Sequence, residues 1–170
     1  MKRLICFILS AALLLTLAGC MKTTEDFENP VIFYYCRSKV TYHTADGVIA
    51  SELREAGSKA GDYVSLLNLY LKGPEDEDLS RTFPKGTTVV SLEVHEETAE
   101  LVLGDYFSAL TGMELSLACA CLTLTVCEMT GAESLTVSTE TTLLDGSRSM
   151  TLWADQILLE DDCKIPIAPN

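Results

Sequence analysis

The side chains that most readily do chemistry here are seven cysteines: Cys6, Cys20, Cys36, Cys119, Cys121, Cys127 and Cys163. A zinc site needs clustered Cys and His ligands, and the sequence offers only His43 and His95 beside them. Cys119-Ala120-Cys121 lacks the Cys-x-x-Cys spacing and sits in an apolar stretch. His43 lies near Asp46-Gly47, and His95 adjoins Glu96 and Glu97, so both read as solvated surface. The densest acid run, Glu75-Asp76-Glu77-Asp78, lacks the oxygen spacing and central glycine of a calcium loop. It reads as a solvated loop; the alternative is that Asp78 or Ser80 caps a short turn. No Gly-x-Ser-x-Gly or phosphate loop occurs, and no carboxylate pair stands in the cleft-forming context that glycan cleavage needs. The expectation is therefore no catalytic residue, no metal and no cofactor.

Cys20 is different because of what precedes it. Met1-Lys2-Arg3 is a charged start, Leu4 to Leu17 an apolar run, and Leu17-Ala18-Gly19-Cys20 a small-residue processing site. The run is shorter than the roughly 20 residues of a comfortable spanning helix. Leu-Ala-Gly-Cys resembles the lipobox of bacterial lipoproteins. That resemblance implies removal of residues 1–19, diacylglycerol on the Cys20 thiol, and a protein held on the outer face of the cytoplasmic membrane. An ordinary signal peptide with Cys20 unmodified is the alternative. The whole chain carries 25 acidic and 12 basic residues, net −13. Removing residues 1–19 takes away Lys2 and Arg3 and no acid, leaving ten basic residues against 25 acidic ones, net −15. This balance argues against nucleic acid as a partner. It also leaves membrane attachment to acyl chains, each buried CH₂ contributing about 0.8 kcal/mol.

With Cys6 in the leader and Cys20 assigned to lipid, five cysteines remain, an odd number without framework spacing. Buried free thiols are one reading of the 119–127 group. A Cys36–Cys163 bridge across the ends of the domain is another use that an exported setting permits.

These groups need a scaffold. Residues 20–30 read as the modified cysteine and a polar tether, 31–160 as one domain, and 161–170 as a loose tail. Val31–Cys36 is β-branched and aromatic, a strand, and Val48–Arg54 follows the Asp46-Gly47 turn as a second. Asp62 caps a helix whose Tyr63, Leu66, Leu67, Tyr70 and Leu71 share a face before Gly73-Pro74 stops it. After the Pro84-Lys85-Gly86 turn, Val90, Leu92 and Val94 alternate with polar residues, and Ala99–Leu103 alternates again, predicting a hairpin with one buried face. Gly112–Met129 has the length of a buried helix, although Leu122–Val126 alternates like a strand. Leu135–Thr139 is a further strand and Asp145-Gly146 a turn. The expected fold class is α+β: a small mixed sheet with two helices on one face, in the order β(β)αββαβ.

Leu66–Pro74, Leu79, Phe83-Pro84-Lys85-Gly86-Thr87 and the hairpin after them together resemble the GerM-type (GerMN) domain of sporulation and spore-germination lipoproteins. Glu114–Met129, Leu135–Thr139 and the opening Val31–Tyr35 continue the resemblance, which spans about residues 31–146. Such domains are similar to ring-building modules, compact α+β units that pack side by side in envelope assemblies. The resemblance implies a non-catalytic interaction module whose partners are other envelope proteins or further copies of itself. The alternative is a binder of cell-wall material or a small ligand, with Phe33, Tyr34, Tyr35 and Trp153 as stacking platforms.

Overall fold

A computed structural model describes residues 27, 29–39 and 47–157. The leader, Cys20, His43, Asp46, Cys163 and the tail at 161–170 lie outside the described residues. Seven strands and two α-helices are described: β1 (Pro30–Arg37), β2 (Ile49–Glu55), α1 (Tyr63–Tyr70), β3 (Leu79–Ser80), β4 (Val89–His95), β5 (Thr98–Leu103), α2 (Gly112–Thr130), β6 (Ser134–Thr139) and β7 (Ser149–Trp153). The α+β class and the order of the main elements follow the sequence reading. The single small sheet of that reading is two sheets. One has the order β2-β1-β3 and is antiparallel; the other, β4-β5-β6-β7, is mixed, with β5 parallel to β6.

The reason for two sheets lies in α2. Its residues are apolar or small nearly all the way round, and Leu115, Ala118, Cys119, Ala120, Cys121, Leu122, Thr123, Thr125, Val126 and Cys127 are all buried. A helix without a polar face must be covered on several sides. Here β1 covers one side, and β6 and β7 another. The helix is long and apolar enough to cross a membrane, but its burial within the fold makes it the core helix of the domain. It also settles the strand-like alternation of Leu122–Val126 in favour of helix. Gly131, left-handed at φ +78°, ends it and donates its N–H to Cys127 O.

The first helix forms where its sequence predicts, although Tyr63, in its first turn, is exposed instead of sharing the buried face. The Asp62 carboxylate accepts from Ser65 N–H at 3.0 Å, and this bond holds the Asp62 pKa below its ordinary value. Leu66, Leu67 and Tyr70 face inward. Tyr70 is the hub of an aromatic cluster with Phe33, Tyr35 and Phe83, at ring-centroid distances of 5.2, 4.8 and 4.9 Å. Gly73 takes φ +102°, a conformation that an L side chain rarely adopts.

One expectation about the hairpin needs correction. β5 alternates cleanly, with Ala99, Leu101 and Leu103 buried. In β4 only Leu92 of the three expected core residues is partly covered; Val90 and Val94 are 46 % and 39 % exposed. β4 is an outer strand of its sheet, and a bulge between Val89 and Ser91 displaces Val90 from the register. Alternation marks the two faces of a strand, and coverage of a face depends on what lies over it.

Candidate functional site

Three features could carry function, and they differ in how completely the fold satisfies them. The first is the edge of β1. β3 pairs only with Cys36 and Arg37, leaving the earlier part of that edge without a strand partner. Side chains close it instead. Tyr34 N–H donates to Thr125 Oγ1 of α2 at 3.0 Å, and Tyr34 C=O accepts from the Tyr70 hydroxyl at 2.6 Å. The Tyr35 hydroxyl in turn donates to Tyr70 C=O at 2.8 Å. Burial pushes the Tyr35 and Tyr70 hydroxyls well above the usual phenol range, so both remain donors. Phe33 and Tyr35 are therefore core residues and offer no stacking platform. Trp153 is 41 % exposed at the end of β7.

The second feature is the outer edge of β4. Val89 N–H donates to Asn68 Oδ1 of α1 at 3.2 Å. From Val90 to Val94, among the described residues, no backbone hydrogen bond joins the strand to any neighbour other than β5. Val90 and Val94 are exposed along this strand. Glu93 and His95 are the titratable side chains on β4, 3.4 Å apart and both exposed. This places His95 on the surface, as expected.

The third is the set of thiols. Cys119, Cys121 and Cys127 are buried in α2. Burial raises the Cys119 pKa to about 12 and that of Cys127 to about 11. Cys36, at the end of β1 and partly exposed, has its Sγ 3.9 Å from Cys121 Sγ. No spacing rule joins residues 85 apart, so sequence could not have paired them.

The acid run is more structured than a solvated loop. Glu52 Oε1 accepts from the N–H groups of Glu75 and Asp76, both at 2.8 Å. Arg54, buried, pairs with Glu52 at 3.1 Å and with Glu75 at 2.8 Å. Its guanidinium lies 5.8 Å from the Phe33 ring centroid. Asp76, not Asp78 or Ser80, caps the turn, accepting from Asp78 N–H at 2.9 Å. Sequence reasoning missed Arg54 because an Arg within Glu-Leu-Arg-Glu looks like strand surface. Among the described residues, no group of three or more His, Cys, Asp or Glu side chains is placed to hold a metal. An apolar cavity of about 390 Å³ lies between β1, β2 and α1, lined in part by Val31, Leu53, Ala56, Tyr63, Leu66 and Met129.

The arrangement defines an α+β domain with two sheets built around a shared buried helix. The family model for Germane, sporulation and spore germination, matches residues 33–144, and the chain belongs to that family. It is similar in fold to the first GerMN domain of the sporulation protein GerM from Bacillus subtilis, at 12 % identity and a TM-score of 0.52, covering 69 % of this chain and 91 % of that one. It is also similar to the tandem GerMN domains of the same protein, at 17 % identity and a TM-score of 0.52, covering 74 % of this chain and 43 % of that one. No curated protein matches the sequence.

Proposed function

We propose that this protein is a lipid-anchored, extracytoplasmic member of the sporulation and germination family whose GerM-type domain is a non-catalytic protein-interaction module. The observation that carries the interaction reading is the β4 edge. An outer strand edge without a strand partner, with Val90 and Val94 exposed, can accept another chain by strand addition, backbone hydrogen bonds supplying affinity and the valines apolar contact. The partner is another envelope protein or a second copy of this chain. Leu17-Ala18-Gly19-Cys20 supports attachment to the outer face of the cytoplasmic membrane through acyl chains on Cys20. Net −15 for the remaining chain supports a body held off an anionic surface.

Two experiments test the reading. A photo-crosslinking residue in place of Val94 should capture an envelope protein or a second copy in cells; a chain that stays monomeric and uncrosslinked in growing and sporulating cells overturns the module. Mass spectrometry should find diacylglycerol on Cys20, and Cys20→Ala should release the protein into the medium. Retention of that variant on the membrane overturns the anchor. The apolar cavity favours a second reading, small-ligand binding, with Met129 and Leu66 rather than the expected aromatics as contacts.

A further inference from the structure

We propose that Cys36 and Cys121 form a redox-active dithiol that closes to an intramolecular disulfide, joining the end of β1 to the middle of α2. Their Sγ atoms are 3.9 Å apart, and a disulfide requires about 2.05 Å. Closing the bond brings the two sulfurs together across β1 and α2, which already pack against each other.

The two thiols are unlike, and the difference suits them to sequential steps. Cys36 is partly exposed and lines a cavity of about 340 Å³ with Ser80, Arg81, Thr82 and Glu114. Hydrogen bonds from the Cys121 thiol and the Thr82 hydroxyl favour its thiolate and lower its pKa. Cys121 is buried, and its contact with Cys36 together with burial raises its pKa. Cys36 is therefore the attacking thiol and Cys121 the resolving one. Cys119 and Cys127, raised by burial alone, stay as thiols.

The co-reactant is a disulfide-bearing oxidant, either a small molecule or a protein dithiol carrier. The Cys36 thiolate attacks one oxidant sulfur, breaking the oxidant's S–S bond and releasing one thiolate. The Cys121 thiol then gives its proton to that thiolate, and its sulfur attacks Cys36 Sγ, expelling the second oxidant sulfur. That sulfur takes up the proton Cys36 gave to solvent when it ionised. The protein is oxidised by two electrons, and the oxidant's disulfide is reduced to two thiols. Closing a link between residues 85 apart restricts the unfolded chain and locks the first sheet to the helix it shares with the second. The proposal stands whether or not β4 binds a partner.

The test uses the full chain, reduced and then exposed to oxidised glutathione. Its mass should fall by two hydrogens, and a single linked peptide pair should contain Cys36 and Cys121. Maleimide labelling of Cys36 should be lost, and the melting temperature should rise and return on reduction. Cys121→Ser should accumulate a glutathione adduct on Cys36; if that variant does not fold, peptide mapping of the unmodified sequence alone decides. A Cys36 that stays open to maleimide, keeps a stable glutathione adduct beside Cys121, or is found joined to Cys163 or Cys20 overturns the proposal.

Discussion

Among the strand edges in this domain that lack a full strand partner, those of β1 and β4 are handled in opposite ways. Along β1, Thr125 and Tyr70 reach in from two different helices and satisfy the N–H and C=O of Tyr34. Along β4, Asn68 reaches in at Val89, and the strand beyond it carries two exposed valines. A buried backbone polar group left without a partner costs about 1–3 kcal/mol, so an interior edge must be closed. An outer edge can stay open because water satisfies it. The contrast teaches that the β1 edge is part of what holds the fold together, while the β4 edge is part of what the fold offers.

The strongest way to break this contrast is to remove the hub of the closed edge. Tyr70→Ala should destabilise the domain by about 4 kcal/mol, within the range for large aromatic truncations. It deletes contacts to Phe33, Tyr35 and Phe83 and the hydroxyl that serves Tyr34. Urea unfolding followed by Trp153 fluorescence checks this. A loss no larger than that of an exposed-site substitution would mean that the aromatic cluster is not the centre of the core.

The next effect comes from Arg54. Its side chain is 8 % exposed and that of Glu52 is 9 %, whereas Glu75 is 75 % exposed. Arg54→Met leaves Glu52 buried without its cation, which for a fully buried pair costs about 3–5 kcal/mol. Because Glu52 keeps the N–H groups of Glu75 and Asp76 and the Glu75 arm is solvated, the expected loss is about 2 kcal/mol. Replacing both partners, Arg54→Met with Glu52→Leu, should recover part of that loss in the same unfolding assay. Failure to recover would place the value of Glu52 in the loop it holds rather than in the pair.

How much of this was legible follows from the range over which each feature is determined. The Asp62 cap, the helix that follows it, Gly131 and the Asp145-Gly146 turn are set by residues a few positions apart, and the sequence shows them. The bulge at Val90, the division into two sheets and the Cys36–Cys121 contact depend on which elements end up side by side. The β4 valines show the limit most clearly: their alternation correctly predicts a strand, and wrongly predicts burial, because nothing local records that β4 lies at the sheet's edge. Arg54 is the converse case, a charged residue whose burial follows from an acid loop some twenty residues later in the chain. The cysteine proposed as the anchor, by contrast, is legible only as sequence, since Cys20 lies outside the described residues.

Thr125→Val sharpens the closed edge without changing its shape. Valine fills nearly the same volume but can neither accept from Tyr34 N–H nor meet the Tyr70 hydroxyl, so the cost reports the polar contacts of this one hydroxyl. An unsatisfied buried donor predicts a loss of about 1.5 kcal/mol. Amide hydrogen exchange gives the residue-level check: the Tyr34 amide should lose protection in the variant, while the β1 amides that pair with β2 keep theirs. Unchanged protection at Tyr34 would show that β1 does not need α2 to close its edge.

The smallest effect on stability is expected at the open edge, and there it carries the most information. Val90→Lys and Val94→Lys replace exposed apolar side chains, for which surface substitutions shift stability by only about 0.5 kcal/mol. Lysine on an outer strand also disfavours pairing with a further strand. With the photo-crosslinking residue moved to the exposed Glu93 position between them, the double variant should therefore unfold at nearly the same urea concentration as the unmodified protein while losing crosslinks through the β4 edge. The two readouts separate the alternatives that matter. A large stability loss would mean that the valines belong to the core after all and that the contrast with β1 is one of degree. Undiminished crosslinking with intact stability would move the contact surface to another part of the domain, with Trp153 at the end of the opposite outer strand, β7, the next place to probe.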